Sequence, residues 1–169
     1  DSFNMCRPLE LVFANGMDKG EIVGIPTGDV TQMKSFEEFF DAYKKQMEYC
    51  ISLLVNADNA IDVAHAERCP LPFLSCMIDD CLKEGRSVQE GGAVYNFTGP
   101  QGFGIANMAD GLFAIRKLVY EEKKVSMEEF KEALAWNYDK GLDEQSAGDM
   151  TEMIMKAMQK AGKEADAST

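Results

Sequence analysis

The side chains able to do chemistry are few. The chain has five cysteines, Cys6, Cys50, Cys69, Cys76 and Cys81, and one histidine, His65. No Cys–His or Ser–His–Asp arrangement can be argued from their spacing. Structural zinc sites use close ligand pairs such as Cys-x2-Cys. His65 with Cys69-x6-Cys76-x4-Cys81 offers no such pair, so no metal is expected. The odd cysteine count, irregular spacing and lack of a secretion signal indicate reduced thiols in a cytoplasmic setting. Asp79 and Asp80 are adjacent. On a helix they diverge by about 100°, so they read as a solvated face rather than one cation site. Asp110 falls near the middle of an apolar helical stretch. A functional carboxylate and a hydrogen-bonded rim carboxylate are both open there.

The densest signal is Glu90-Gly91-Gly92-Ala93-Val94-Tyr95-Asn96-Phe97-Thr98-Gly99-Pro100-Gln101-Gly102-Phe103-Gly104, in which five of fifteen residues are glycine. It begins like a short β run, Ala93 to Phe97, and ends in a tight loop feeding a helix. Glycine at this density marks backbone where a Cβ would clash or φ is positive. A packed strand–turn–helix corner and a backbone wall beside a ligand both fit. The run is not a phosphate-binding P-loop, because no Gly-Lys-Ser/Thr follows. A helix N-terminus near Gly104-Ile105 leaves room for an anion.

The elements that must position these residues are mostly helices. Asn4 to Ala14 reads as a first helix, with Asn4 as cap, Pro8 in the first turn and Asn15-Gly16 as the stop. Residues 17–34 are a connector punctuated by Gly20, Gly24, Pro26 and Gly28. Ser35-x-x-Glu38 is a capping box that opens a helix running to about Cys69. Its apolar residues recur at three and four over roughly 50 Å. It is read as one structural spine, with a break near Asn56 to Asn59 as the alternative. Pro70 ends it. Pro72 to Glu84 follows as a shorter helix, with Phe73, Cys76, Met77 and Cys81 inward and Gly85 as its stop. Ile105 to about Glu121 is the next helix. Ser126-x-x-Glu129 caps another, Met127 to Tyr138, with Phe130, Leu134 and Trp136 apolar and a close near Gly141. Asp149-x-x-Glu152 opens a last helix to about Ala161, and residues 164–169 form a ragged end. A lone strand among so many helices cannot satisfy its own edges, so it needs a sheet from elsewhere.

The bulk numbers set the frame. At 169 residues one domain is the expectation. Hydrophobic content of 46% and a mean hydropathy of -0.25 place the chain among soluble globular proteins. A net charge of -12 argues against a nucleic-acid binder and against an anionic membrane surface. No apolar run is long enough to span a membrane. The start, Asp1-Ser2-Phe3-Asn4, has no initiator methionine and no signal peptide, so the chain is expected to be a piece of something larger.

Several of these stretches share a family resemblance. The run from Glu90 to Gly102, then Ala109-Asp110-Gly111-Leu112 and Ala114-Ile115-Arg116-Lys117-Leu118-Val119, resembles the glycyl radical enzymes. The nearest branch is the dehydratase, decarboxylase and carbon–heteroatom lyase side, relatives of pyruvate formate-lyase. Phe3-Asn4-Met5, Leu9-Glu10-Leu11 and Asn15-Gly16 are similar to that family's helix after its thiyl-cysteine loop. Ala64-His65-Ala66-Glu67 and Pro70-Leu71-Pro72-Phe73-Leu74-Ser75 are similar to the end of its long helix.

The resemblance implies an α/β fold: residues 1–169 would be a helix-rich part of a ten-stranded α/β barrel of the pyruvate formate-lyase type. They would lie after the thiyl-cysteine loop and before the radical-glycine domain. The family's Gly-Cys-x-Glu and Arg-Val-x-Gly motifs are absent from these residues; Met5 precedes Cys6 and Ser75 precedes Cys76. No catalytic residue is therefore assigned, and the piece alone should be inert. Asp1 and Ser2 fall where the family lines its substrate pocket and are substrate-binding candidates. Tyr95 and Asn96 match the family's strand motif and would support the barrel wall. The parent would cleave a C–O, C–N, C–S or C–C bond of a small organic substrate by radical chemistry. It would need a glycyl radical installed by a radical S-adenosylmethionine activase, and would act as a cytoplasmic, anaerobic homodimer. A non-catalytic helical interaction module derived from such an enzyme is the alternative.

Overall fold

The computed structural model describes residues 2–138, and side chains through 135. Asp1, the side chain of Trp136, and the expected close near Gly141, helix from Asp149 and ragged end all lie outside the described residues. The elements run β1 (Ser2–Asn4), α1 (Arg7–Phe13), β2 (Met17–Asp18), β3 (Glu21–Ile22), α2 (Phe36–Arg68), α3 (Pro72–Ser75), α4 (Cys81–Glu84), β4 (Gln101–Phe103), α5 (Ile105–Ile115) and α6 (Met127–Tyr138). Short 3-10 turns occupy Val30–Gln32 and Val88–Glu90, and Arg116–Glu121 is a π-helical turn continuing α5. β1 pairs with β4, and β2 with β3 in an antiparallel hairpin.

The chain divides into two compact units, one made of Asp1–Phe3 and Cys50–Gly102, the other of Asn4–Tyr49 and Phe103–Thr169. The second holds the main core. Val12, Phe39, Tyr43, Ile115 and Phe130 are buried together there, and Phe13 stacks on Phe130 at 6.0 Å and meets Phe39 at a tilt at 5.5 Å. Full burial of a ring such as Phe39 contributes about 1.5–3 kcal/mol. The first half of α2 supplies Phe39, Ala42 and Tyr43 to this core at helical spacing.

In the other unit the apolar side chains are largely uncovered. Along the second half of α2, Ile51, Leu53, Val55, Ile61 and Val63 are all exposed. α2 is one uninterrupted helix of 33 residues, with no break at Asn56 to Asn59. Asparagine costs only about 0.7 kcal/mol per helical position, and neither glycine nor proline interrupts the run.

Four expectations need correction. The first helix starts at Arg7, not Asn4; residues Ser2–Asn4 are strand, and the Asn4 side chain accepts from the Cys6 amide at 3.0 Å. The β run at Ala93 to Phe97 is not a strand, and the strand lies at Gln101–Phe103 instead. A strand needs a partner, and β1 meets the chain at the later residues. Pro72 to Glu84 is two short helices rather than one. Asp80 sits at φ +74 between them, a left-handed conformation no continuing helix admits. Of the four residues expected inward, Cys81 is buried, whereas Phe73, Cys76 and Met77 are exposed. The connector over residues 17–34 contains a short hairpin. Lys19-Gly20, both at positive φ, turn the β2–β3 hairpin.

Candidate functional site

β1 carries Ser2 and pairs with β4, the end of the glycine-rich run. Two stretches about a hundred residues apart in the chain are thus hydrogen-bonded neighbours. Immediately after Ser2-Phe3 the backbone is tied down at several points. The Met5 amide donates to the Phe103 carbonyl at 2.9 Å, and the Tyr43 hydroxyl donates to the Met5 carbonyl at 3.4 Å. The Cys6 thiol donates to the Gly104 carbonyl at 3.5 Å.

Glycine suits that junction. The φ of Gly104 is +78, and a Cβ there would stand 3.2 Å from Cys6 Sγ and 3.4 Å from Asn4 Oδ1. Burial, and then the charge of Glu10, push the Cys6 thiol up in pKa. Burial pushes the Tyr43 phenol up to about 12, with Cys6 a secondary cause. Both groups therefore stay protonated near neutrality and act as hydrogen-bond donors. Neither is set up as a nucleophile.

Tyr95 and Asn96 lie in the irregular stretch before β4, and Tyr95 is 81% exposed. Asn96 borders a cleft of about 250 Å³ whose other polar walls are Asp62, His65, Gln89 and Thr98. Thr98 donates its hydroxyl to Asp62. Asp62 and His65 are three residues apart on α2, which puts them on one face. That spacing is legible in the sequence. Its meeting with Asn96 and Thr98 is not, because it depends on how the irregular stretch returns to α2. Among the described residues no group of three or more His, Cys, Asp or Glu side chains converges as a metal site would. The arrangement can bind and position small polar groups.

The chain's relatives are specific. A family model described as pyruvate formate lyase-like matches residues 1–167. Trans-4-hydroxy-L-proline dehydratase of Clostridioides difficile is 38% identical over 138 residues, 80% of this chain and 18% of that protein. (2S)-3-sulfopropanediol dehydratase of Klebsiella oxytoca is 36% identical over 80% of the chain and 17% of its own length. Among solved structures, one describing 1,2-propanediol dehydration in Roseburia inulinivorans is 63% identical at a TM-score of 0.82, covering 89% of this chain and 19% of that one. The glycerol-bound B12-independent glycerol dehydratase of Clostridium butyricum is 51% identical at a TM-score of 0.76, covering 79% and 17%. The chain thus spans less than a fifth of the length of these relatives. The likeness bears out the expected fold class, a helix-rich part of an α/β barrel of the pyruvate formate-lyase type. No helix among the described residues is long and apolar enough to cross a membrane.

Proposed function

This chain belongs to the pyruvate formate-lyase-like glycyl radical enzymes, and from that premise we propose that the whole protein dehydrates a small vicinal diol of the 1,2-propanediol type. The observation that carries the substrate class is the 63% identity, over 89% of this chain, to a structure concerned with 1,2-propanediol dehydration. The 51% identity to a glycerol-bound dehydratase points to the same chemical class, a short polyol with adjacent hydroxyls.

In this reading residues 1–169 are a partial pyruvate formate-lyase-like domain, between the thiyl-cysteine loop and the radical-glycine domain. A glycyl radical installed by a radical S-adenosylmethionine activase supplies hydrogen-atom abstraction when present. This chain's own part is to bind and orient. The Asp1 carboxylate accepts from substrate hydroxyls, and the Ser2 hydroxyl donates to or accepts from them. Tyr95 and Asn96 support the wall behind the site. The net reaction loses one water: 1,2-propanediol gives propanal. A cytoplasmic homodimer in an anaerobic cell accompanies this reading through the family resemblance.

The test is a product assay. The whole protein, activated anaerobically with its activase, S-adenosylmethionine and a reductant, is given 1,2-propanediol, glycerol or trans-4-hydroxy-L-proline separately. Propanal from the first, at the highest kcat/KM of the three, is the expected result. Preferential turnover of hydroxyproline would overturn the diol assignment. A whole protein that takes up no glycyl radical under these conditions and turns over none of the three would favour the non-catalytic helical module instead.

A further inference from the structure

We infer that Tyr43 is a positioning residue for substrate binding: its hydroxyl, reaching from α2 to the Met5 carbonyl, fixes the backbone that follows Ser2. The inference rests on the reading above that Ser2 contacts substrate.

Tyr43 is 4% exposed and its ring belongs to the buried core, so the hydroxyl is delivered from a rigid platform. It donates to the Met5 carbonyl at 3.4 Å, while the Met5 amide donates to the Phe103 carbonyl at 2.9 Å. The Met5 peptide groups are thus held from both sides, by α2 and by the end of β4. Met5 is three residues from Ser2, and the intervening Asn4 uses its side chain to hold the Cys6 amide at 3.0 Å. Removing the Tyr43 hydroxyl leaves the ring packed and frees one of these fastenings. The predicted consequence is a looser β1 and a substrate-contact segment that must be ordered when substrate binds.

A matched control exists in the same unit. The Tyr120 hydroxyl donates to the Met33 carbonyl at 3.5 Å, and its pKa is also pushed up to about 12 by burial. It is the same kind of bond, made far along the chain from Ser2. A purely structural hydroxyl and a positioning one can therefore be separated.

The experiment compares Tyr43→Phe with Tyr120→Phe in the whole activated protein. For Tyr43→Phe we expect KM for 1,2-propanediol to rise about 3–10-fold, the equivalent of one hydrogen bond, with kcat changed less than about twofold. Tyr120→Phe should leave KM within about twofold. Equal KM effects in both variants, or none in Tyr43→Phe, would overturn the inference. Amide hydrogen exchange of the same proteins, followed at residues 2–6, gives a substrate-independent reading. Exchange there should accelerate in Tyr43→Phe and not in Tyr120→Phe, and unchanged protection in Tyr43→Phe would also overturn it. If the wild-type protein does not turn over the diol, the substrate assignment falls. The exchange comparison then decides whether Tyr43 fixes the segment.

Discussion

The Gln46 side chain grips both polar backbone groups of Ile25: its Nε2 donates to the Ile25 carbonyl, and its Oε1 accepts from the Ile25 amide at 3.2 Å. Gln46 is fully buried, so these bonds satisfy a side-chain amide that would otherwise be orphaned in the core. They also peg the connector between the β2–β3 hairpin and α2. Asn15 secures the same connector from the other end, accepting from the amides of Thr27 and Gly28 at 2.8 and 2.9 Å.

Gln46→Leu fills nearly the same space and removes both bonds. It should cost about 1–3 kcal/mol, because Ile25 then keeps unpaired groups in a partly buried site. The midpoint of urea denaturation checks this. A shift no larger than that of an exposed substitution such as Glu48→Gln would contradict it.

Gly16 and Gly28 separate backbone strain from steric conflict. Both have positive φ, +79 and +96. A Cβ on Gly16 would lie 2.5 Å from the Ile25 carbonyl oxygen, whereas one on Gly28 meets nothing within 4 Å. Gly28→Ala should cost about 1–2 kcal/mol from conformation alone. Gly16→Ala should lose clearly more, since rigid backbone must move as well. Thermal denaturation of the two variants side by side gives the order, and equal losses would be inconsistent with this packing.

The capping box of α6 sets a pH dependence. The Glu129 carboxylate accepts from the Ser126 amide and hydroxyl, both at 2.8 Å, and these bonds hold its pKa below the usual value of 4.5. The folded pKa is depressed, so the contribution to stability is fully present above the unfolded pKa. It is lost as pH falls through the folded pKa. Carboxyl NMR titration should find Glu129 below an ordinary glutamate. Replacing Ser126 with alanine should move it back towards 4.5, and an unchanged titration would contradict the box.

Local chemistry was the legible part of this fold. Ser35-x-x-Glu38 and Ser126-x-x-Glu129 both form N-terminal boxes, although Glu38 reaches the Lys34 amide rather than that of Ser35. Asn15-Gly16 ends α1, with the Gly16 amide donating to Leu11, and Pro70 ends α2. These depend on neighbours a few residues away. What depended on distant partners was not legible. The pairing of Ser2–Asn4 with Gln101–Phe103 sets which residues of the glycine-rich run are strand, and nothing local to Ala93–Phe97 reveals it. Asp62 and His65 likewise acquire their cleft from Asn96 and Thr98. The left-handed Asp80 that divides α3 from α4 carries no glycine to announce it.

The radical chemistry proposed for the whole protein has one direct readout. Electron paramagnetic resonance of the whole protein, after anaerobic activation with its activase and S-adenosylmethionine, should show a glycine-centred doublet that oxygen destroys. A sample in which the activase consumes S-adenosylmethionine yet no such doublet forms would contradict the account.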